Sequence, residues 1–126
     1  MPKISSKLDL KKQLTTIKVT GEVTADEIVI GIRAHYNNKL TKFVLWDFRE
    51  ATVVSLATKD YEKIAGVALE VANSRKQGKI ALVGDTNLNM GLGVMYRAIA
   101  NKVGIPHEYK IFRDIYDAVQ WLSSTI

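Results

Sequence analysis

The stretch Phe43-Val44-Leu45-Trp46-Asp47-Phe48 is a short, nearly continuous apolar run that ends on a carboxylate. It is bounded by the polar segment Asn37-Asn38-Lys39 before it and by Arg49-Glu50 after it. An apolar run of this length between polar boundaries predicts a strand that is buried on both faces. Such strands occur in α/β sheets covered by helices. The stretch therefore predicts an α/β fold with a strand over residues 42–48 near the centre of its sheet.

Length and composition indicate one domain spanning residues 1–126. A chain of this size can bury enough apolar surface to form one core without disulfides or metal sites. It has no cysteine, which excludes disulfides and thiolate chemistry and fits a reducing compartment. No stretch approaches the ~20 apolar residues of a membrane span, and the N-terminus lacks the apolar core of a signal peptide. We therefore expect a cytoplasmic protein without a membrane span.

Most of the net charge of +5 lies at the N-terminus. Residues 1–18 hold five lysines against one aspartate and carry +4, whereas residues 19–126 carry only +1. A basic excess confined to a terminal segment is not the patch or groove that nucleic-acid binding requires, so we expect no nucleic-acid partner. Lysines on an edge strand discourage aggregation. Residues 1–12 are therefore predicted to be a basic edge segment.

Strand and helix patterns alternate along the chain. Strands are predicted at 7–12, 13–20, 42–48, 79–84 and 108–112, and helices begin near residues 24, 58, 88 and 114. This order, ββαβαβαβα, predicts a mostly parallel sheet of four or five strands with about four helices and right-handed crossovers. The leading hairpin makes the sheet mixed. Residues 21–23 are predicted to form a turn and residues 49–57 a loop with room for a short extended piece.

Three of the helix starts carry capping signals. Thr24 and Glu27 have the spacing of a capping box. Thr58 is predicted to cap the second helix, with Asp60 in its first turn, and Asp114 is predicted to cap the last helix.

Two carboxylates are predicted at the ligand-binding edge of the sheet. Ligands of parallel α/β sheets bind outside the carboxyl ends of the strands, where Asp47 and Asp85 would end neighbouring strands. Such a pair is a common active-site pattern and could serve as acid and base or hold a metal. No third ligand or nucleophile is evident, however. We favour a structural role in which Asp47 accepts backbone N–H groups and orders the following loop, and we expect no metal and no cofactor.

Gly91 and Gly93 follow a predicted strand and are a candidate phosphate loop. The third glycine of a dinucleotide fingerprint is replaced by Tyr96, and the Gly-Lys-Ser/Thr of a Walker loop is absent. We favour a glycine-loosened helix start that allows close packing.

Ser55 and Thr58 lie at the predicted start of the second helix, where an added phosphate would be electrostatically favourable. The simpler interpretation is that Thr58 is a cap and Ser55 a loop residue. His35 and His107 are paired by spacing neither with each other nor with a carboxylate, which argues against a zinc site or a Ser-His-Asp arrangement.

Several segments in order match one known pattern. They are Val19–Thr24, Leu45–Arg49, Lys79–Val83, Gly91–Tyr96, Ile111–Asp114 and Ala118–Leu122. Together they resemble the SpoIIAA-like family of the STAS superfamily, the sulfate-transporter and anti-sigma-factor-antagonist domains, over about residues 13–122.

The resemblance implies helices packed largely on one side of the sheet, and a bacterial regulatory or ligand-sensing role rather than catalysis. Phosphorylated members carry Asp-Ser-Ser-Gly or a similar segment at the start of the second helix, where this chain reads Val54-Ser55-Leu56-Ala57-Thr58-Lys59. That motif is missing, so Ser55 and Thr58 are only positional stand-ins. The superfamily is also compared with lipid-binding proteins, which implies a small apolar or anionic ligand as an alternative.

Three functional hypotheses follow. The first is a non-enzymatic regulatory module that binds a protein partner or a second copy of itself through residues 49–58 and the second helix. The second is a small-molecule binder with a cavity near Trp46, Tyr96 and Trp121. The third is an enzyme that uses Asp47 and Asp85. The candidate binding residues are Asp47, Arg49, Ser55, Thr58, Asp85, Gly91, Gly93 and Tyr96.

Overall fold

The structure, a computed structural model, describes residues 4–36, 41–53, 57–72, 78–84, 87–102 and 108–123. The strands are β1 (Ile4–Asp9), β2 (Leu14–Val23), β3 (Phe43–Val53), β4 (Lys79–Val83) and β5 (Glu108–Phe112). The helices are α1 (Ala25–Tyr36), α2 (Thr58–Ala72), α3 (Asn87–Lys102) and α4 (Ile115–Ser123). The predicted order of elements, ββαβαβαβα, is confirmed.

The five strands form one mixed sheet with β3 at its centre. The strand order is β1-β2-β3-β4-β5. β1 is antiparallel to β2, and the remaining neighbours are all parallel. Each parallel pair is joined by a crossover that contains a helix, which is the arrangement the alternating sequence pattern predicts.

Side chains that alternate along the strands build a separate core on each face of the sheet. Val44 and Trp46 point to the face covered by α1 and α2, which we call the three-helix face. Helix α3 also packs there, because Gly93 faces Ile111 so closely that an added Cβ would lie 3.5 Å from it, and Ile111 lies against the same core. Leu45 points to the opposite face, where it packs with Ala118 and the rest of α4. Three of the four helices thus lie on one side.

The ends of β2 and β3 differ from the sequence-based expectation. Residues 21–23, predicted as a turn, continue β2, and residues 49–53, predicted as part of a loop with room for a short extended piece, continue β3. The two extensions pair with each other, Gly21 opposite Ala51 and Val23 opposite Val53. Each segment is stabilised by the other, which is a contact between residues far apart in the chain. β1 also begins earlier than predicted, at Ile4, and ends at Asp9.

A β-bulge lies in the middle of this pairing. Lys18 pairs with Asp47 and Thr20 pairs with Glu50, so two residues of β3 stand opposite the single residue Val19. A bulge changes which side chains of a strand point to a given face. Before it, the even-numbered residue Trp46 belongs to the three-helix core, and after it the odd-numbered Ala51 does.

The helix caps are close to prediction. The Thr24 backbone N–H donates to Glu27 Oε1 at 3.0 Å and Glu27 N–H donates to Thr24 Oγ1 at 3.3 Å, which confirms the capping box. Asp114 accepts from the backbone N–H of Tyr116 at 2.7 Å. Thr58 is not the cap but the first helical residue of α2.

The residue before Thr58 takes the cap position instead. Ala57 N–H donates to Asp60 Oδ2 at 2.8 Å, while Asp60 N–H donates back to the Ala57 carbonyl at 2.9 Å.

Replacing Gly66 with alanine is expected to stabilise the protein. Gly66 lies within α2, and a methyl group added there meets no atom within 4 Å. Alanine restricts the unfolded chain more than glycine does, so the free energy of unfolding should rise by about 0.5–1 kcal/mol. Urea denaturation measures the change. Gly21→Ala is the matched control: Gly21 has φ +75° in β2, so the same methyl group should destabilise there.

Candidate functional site

Asp47 lies near the middle of β3, at the last residue of β3 that pairs with β4, and is almost completely buried, at 4% exposure. Arg49 supplies three donors to its carboxylate. Its Nε donates to Oδ1 at 2.9 Å, its guanidinium NH2 donates to Oδ2 at 2.9 Å, and its backbone N–H donates to Oδ1 at 3.1 Å. Both carboxylate oxygens are therefore engaged by one residue, two positions further along the same strand.

This geometry decides the protonation state of Asp47. Burial alone raises the pKa of a carboxyl group, because it penalises the charged form. Here the side-chain and backbone hydrogen bonds from Arg49, its positive charge and that of Lys18 outweigh burial, so the pKa of Asp47 lies below its ordinary value. Asp47 is thus an ionised acceptor at neutral pH.

Two further charges lie beside this pair. Lys18, on β2, pairs with Asp47 in the backbone register, and its ammonium forms an ion pair with Glu50. The hydrogen bond and the charge of Glu50 raise the pKa of Lys18. We call Lys18, Asp47, Arg49 and Glu50 the charged edge. Its positive and negative groups alternate, so each charged side chain can be held in place by a neighbour of opposite charge.

The sequence predicts only part of the charged edge. It singles out Asp47 and Arg49 as candidate residues, but not Lys18 and Glu50. Lys18 lies between Ile17 and Val19, which both point to the three-helix core. Strand alternation therefore places Lys18 on the opposite face, together with Asp47. The pairing with Glu50 also depends on the bulge, for which the sequence gives no signal.

The structure brings together only some of the predicted site residues. Asp85 and Ser55 lie outside the described residues, so the predicted Asp47–Asp85 pair stays a prediction. Thr58 begins α2 and Tyr96 lies within α3, but their side chains are outside the described set. The structure thus places Asp47 and Arg49 in direct contact, and their role in binding stays a prediction.

Gly91 and Gly93 lie inside α3 rather than in a loop before it. Gly91 is the fifth residue of the helix, beyond the first four N–H groups that a helix leaves unbonded. A Cβ at Gly91 would meet open space, whereas one at Gly93 would meet Ile111 at 3.5 Å. The predicted close packing thus applies to Gly93 and not to Gly91. Anion binding at these glycines stays a prediction without a free backbone donor to support it.

The two tryptophans lie on opposite faces of the sheet. Trp46 belongs to the core under α1 and α2 and stacks with Phe48 at a centroid distance of 6.0 Å. Trp121 packs against the α4 core and contacts Phe112. The expected cavity near Trp46, Tyr96 and Trp121 is therefore wrong as a single pocket, because the sheet separates the two indoles.

The N-terminal parts of α1 and α2 are joined at the surface. Lys63 Nζ donates to Asp26 Oδ1 at 2.6 Å. Ile30 follows Asp26 by four residues and Gly66 follows Lys63 by three, so both lie about one turn further along the same sides of their helices. Ile30 is 67% exposed, and Gly66 is exposed as well. We call Asp26, Ile30, Lys63 and Gly66 the α1–α2 seam. It presents an exposed apolar side chain one helical turn from an ion pair.

Within the described ranges, no group of three or more histidine or acidic residues is arranged to hold a metal ion. None of the helices in those ranges is long and apolar enough to cross a membrane.

Comparison with known proteins defines the fold. No protein-family model and no curated protein matches the chain. Among solved structures, it is similar to an uncharacterised DUF3478-family protein with a SpoIIAA-like fold from Shewanella loihica PV-4. The TM-score is 0.57 and the identity 23%, over 94% of this chain and 91% of the other.

The chain is also similar to the anti-sigma factor antagonist SpoIIAA in its unphosphorylated form. The TM-score is 0.54 and the identity 12%, over 97% of this chain and 99% of the other. Both likenesses extend over nearly the full length of each chain. The chain therefore has a SpoIIAA-like α/β fold.

Proposed function

We propose that this protein is a non-enzymatic regulatory module that binds a protein partner in the bacterial cytoplasm. The contact surface would comprise the start of α2 and the α1–α2 seam, and the charged edge, on the opposite face of the sheet, would brace the strand ends from which these helices begin. The fold is shared with an anti-sigma factor antagonist, a protein that acts on another regulator. Fold likeness alone does not assign function, so the proposal depends on the site.

The observation that carries the proposal is that Arg49 hydrogen-bonds both carboxylate oxygens of Asp47. Three donors from Arg49 occupy its two oxygens, and they hold it ionised. A general acid or base needs a pKa near the working pH and an accessible oxygen. Asp47 instead acts as a brace for the bulge in β3. This favours a rigid surface for recognition over proton-transfer chemistry.

The α1–α2 seam gives such a surface an apolar centre. Most apolar side chains on α1, such as Ile28 and Ile32, are buried, whereas Ile30 is exposed. Beside it lies an ion pair with charges of both signs, Lys63 with Asp26. An apolar residue within a charged rim is the usual layout of a protein–protein contact.

Site-specific photo-crosslinking tests this surface in cells of the native host. A photoreactive phenylalanine derivative at Lys59, an exposed residue in the first turn of α2, should give one discrete adduct with another protein. Ile30→Asp in the same chain should abolish that adduct, since it places a charge at the apolar centre. Mass spectrometry identifies the captured chain, and two copies of this protein would indicate self-association.

Arg97 provides the matched control, because it is equally exposed but lies on α3. The probe at residue 97 should give no adduct. Equal adducts from residues 59 and 97, or no adduct from residue 59, would contradict the proposed surface.

A further inference from the structure

Two lysines on neighbouring strands converge on one indole ring, on the face of the sheet that α4 covers. Lys79 begins β4, and its Nζ lies 4.7 Å from the ring centroid of Trp121. Lys110, on β5, places its Nζ 5.9 Å from the same centroid and 5.6 Å from that of Phe112. We call these four residues the lysine–aromatic cluster. Two positive charges therefore share one small patch of surface.

Packing fixes the positions of the two aromatic rings of this cluster. Phe112 and Trp121 lie with their centroids 5.7 Å apart and their planes tilted by 47°. Both rings are half-buried against the core formed with α4. Aromatic faces carry partial negative charge and attract ammonium groups. The rings thus hold the lysine heads near each other without neutralising them.

Lys79 is positioned by a second contact. Its Nζ donates to the backbone carbonyl of Trp121 at 3.2 Å, in the last turn of α4. The carbonyls of the last helical turn lack partners within the helix, so this bond has a structural purpose. An ammonium group has three donors. One N–H of Lys79 donates to the carbonyl at the helix end, and the other two can donate to a ligand.

A third ammonium group flanks the cluster. Lys42 Nζ lies 5.5 Å from the ring centroid of Phe43, and Phe43 pairs with Lys79 in the sheet. Across the described side chains, Lys18 and Lys63 each have a carboxylate partner, but Lys42, Lys79 and Lys110 have none. The three lysines thus place positive charge on this patch, and the sheet register sets one acidic residue, Glu108, beside Lys79.

We propose that the lysine–aromatic cluster, flanked by Lys42, binds a small polyphosphate-type anion that carries two or more adjacent phosphate groups. Adjacent phosphates can contact ammonium groups on β4, on β5 and just before β3 at once, so each added phosphate can gain a further charge-assisted contact. The cluster shares no residue with the charged edge or the α1–α2 seam, and Lys79 lies at the other end of the parallel strands from the charged edge. The two proposals can therefore fail separately.

Fluorine NMR of protein labelled with 5-fluorotryptophan tests the site, with tripolyphosphate as the probe at constant ionic strength. The chain has two tryptophans, and only Trp121 lies at the cluster. The Trp121 resonance should shift saturably while that of Trp46 stays in place. Lys110→Gln should weaken binding about tenfold, as expected for loss of one charge-assisted contact. Orthophosphate should bind more weakly than tripolyphosphate.

Lys12→Gln is the control for net charge, because Lys12 is exposed in the turn between β1 and β2. It should change the affinity less than twofold. Lys79→Arg should retain binding, while Lys79→Gln should lose it, and both variants are checked for folding by circular dichroism.

Three outcomes would overturn the assignment. The first is the absence of a saturable Trp121 shift. The second is an equal effect of Lys12→Gln and Lys110→Gln, which would indicate diffuse attraction to a basic chain. The third is a single-stranded oligonucleotide that binds the same lysines far more tightly than tripolyphosphate, which would make the patch a nucleic-acid site.

Discussion

Replacing Leu45 with alanine is expected to lower the free energy of unfolding by about 2–5 kcal/mol, the largest effect of any substitution considered. Leu45 is 1% exposed and packs on the α4 face with Ala81, Val83 and Leu122. Truncation removes three buried carbon atoms and leaves a cavity that the small neighbours cannot fill. Urea denaturation followed by circular dichroism measures the loss.

Ile30→Ala is the control for this prediction, because it removes a similar apolar side chain from an exposed position. Its effect should stay within about 0.5 kcal/mol. A loss at Leu45 as small as that at Ile30 would mean that α4 does not cover the sheet as described.

Replacing Asp47 with asparagine is expected to cost about 1–3 kcal/mol at neutral pH. Asparagine keeps the shape of the side chain but removes its charge, and its amide group cannot accept the second guanidinium bond. β3 thereby loses the ion pair with Arg49 beside its bulge. Glu62→Gln, on the exposed surface of α2, makes the same charge change and should stay within about 0.5 kcal/mol.

The cost of Asp47→Asn should also depend on pH in a defined direction. The pKa of Asp47 is lower in the folded protein than its ordinary value. Its stabilising contribution is therefore complete above the ordinary value of 3.8 and is lost as the pH falls through the folded pKa. Wild type and variant should converge in stability in strong acid. A constant difference down to the lowest accessible pH would contradict the ionised pair.

Arg49→Met should reverse the sign of the pKa shift. The carboxylate of Asp47 would remain buried but would lose its guanidinium partner, so burial would dominate and raise its pKa. This variant should be less stable at neutral pH than Asp47→Asn, because it leaves a buried charge unpaired.

The sequence predicts the sheet better than it predicts where strands end. The apolar run at 43–48 and the alternation of elements give the class, the order and the central strand. The limits of β2 and β3 depend on each other, because residues 21–23 and 51–53 are strands only when paired. The polar pair Arg49-Glu50 resembles a loop start locally, and only the partner strand and the bulge make it part of β3.

The candidate site, too, is only partly predictable from the sequence. Asp47 is predicted as a residue of the central strand, and the favoured role, an acceptor for backbone N–H groups, is close to what the structure shows. The guanidinium of Arg49 is the additional and stronger partner. The position of Trp121 relative to Trp46 was not predictable from periodicity, since it depends on which face α4 covers. That choice is made by packing across the whole sheet.

The central claim is that Asp47 is ionised at neutral pH and braces a recognition surface, and a pH titration of its side-chain carboxyl carbon by ¹³C NMR tests it most directly. The account predicts a midpoint below the ordinary aspartate value, moving above that value in Arg49→Met. A wild-type midpoint raised towards neutral pH would identify a proton-transfer group and contradict the account.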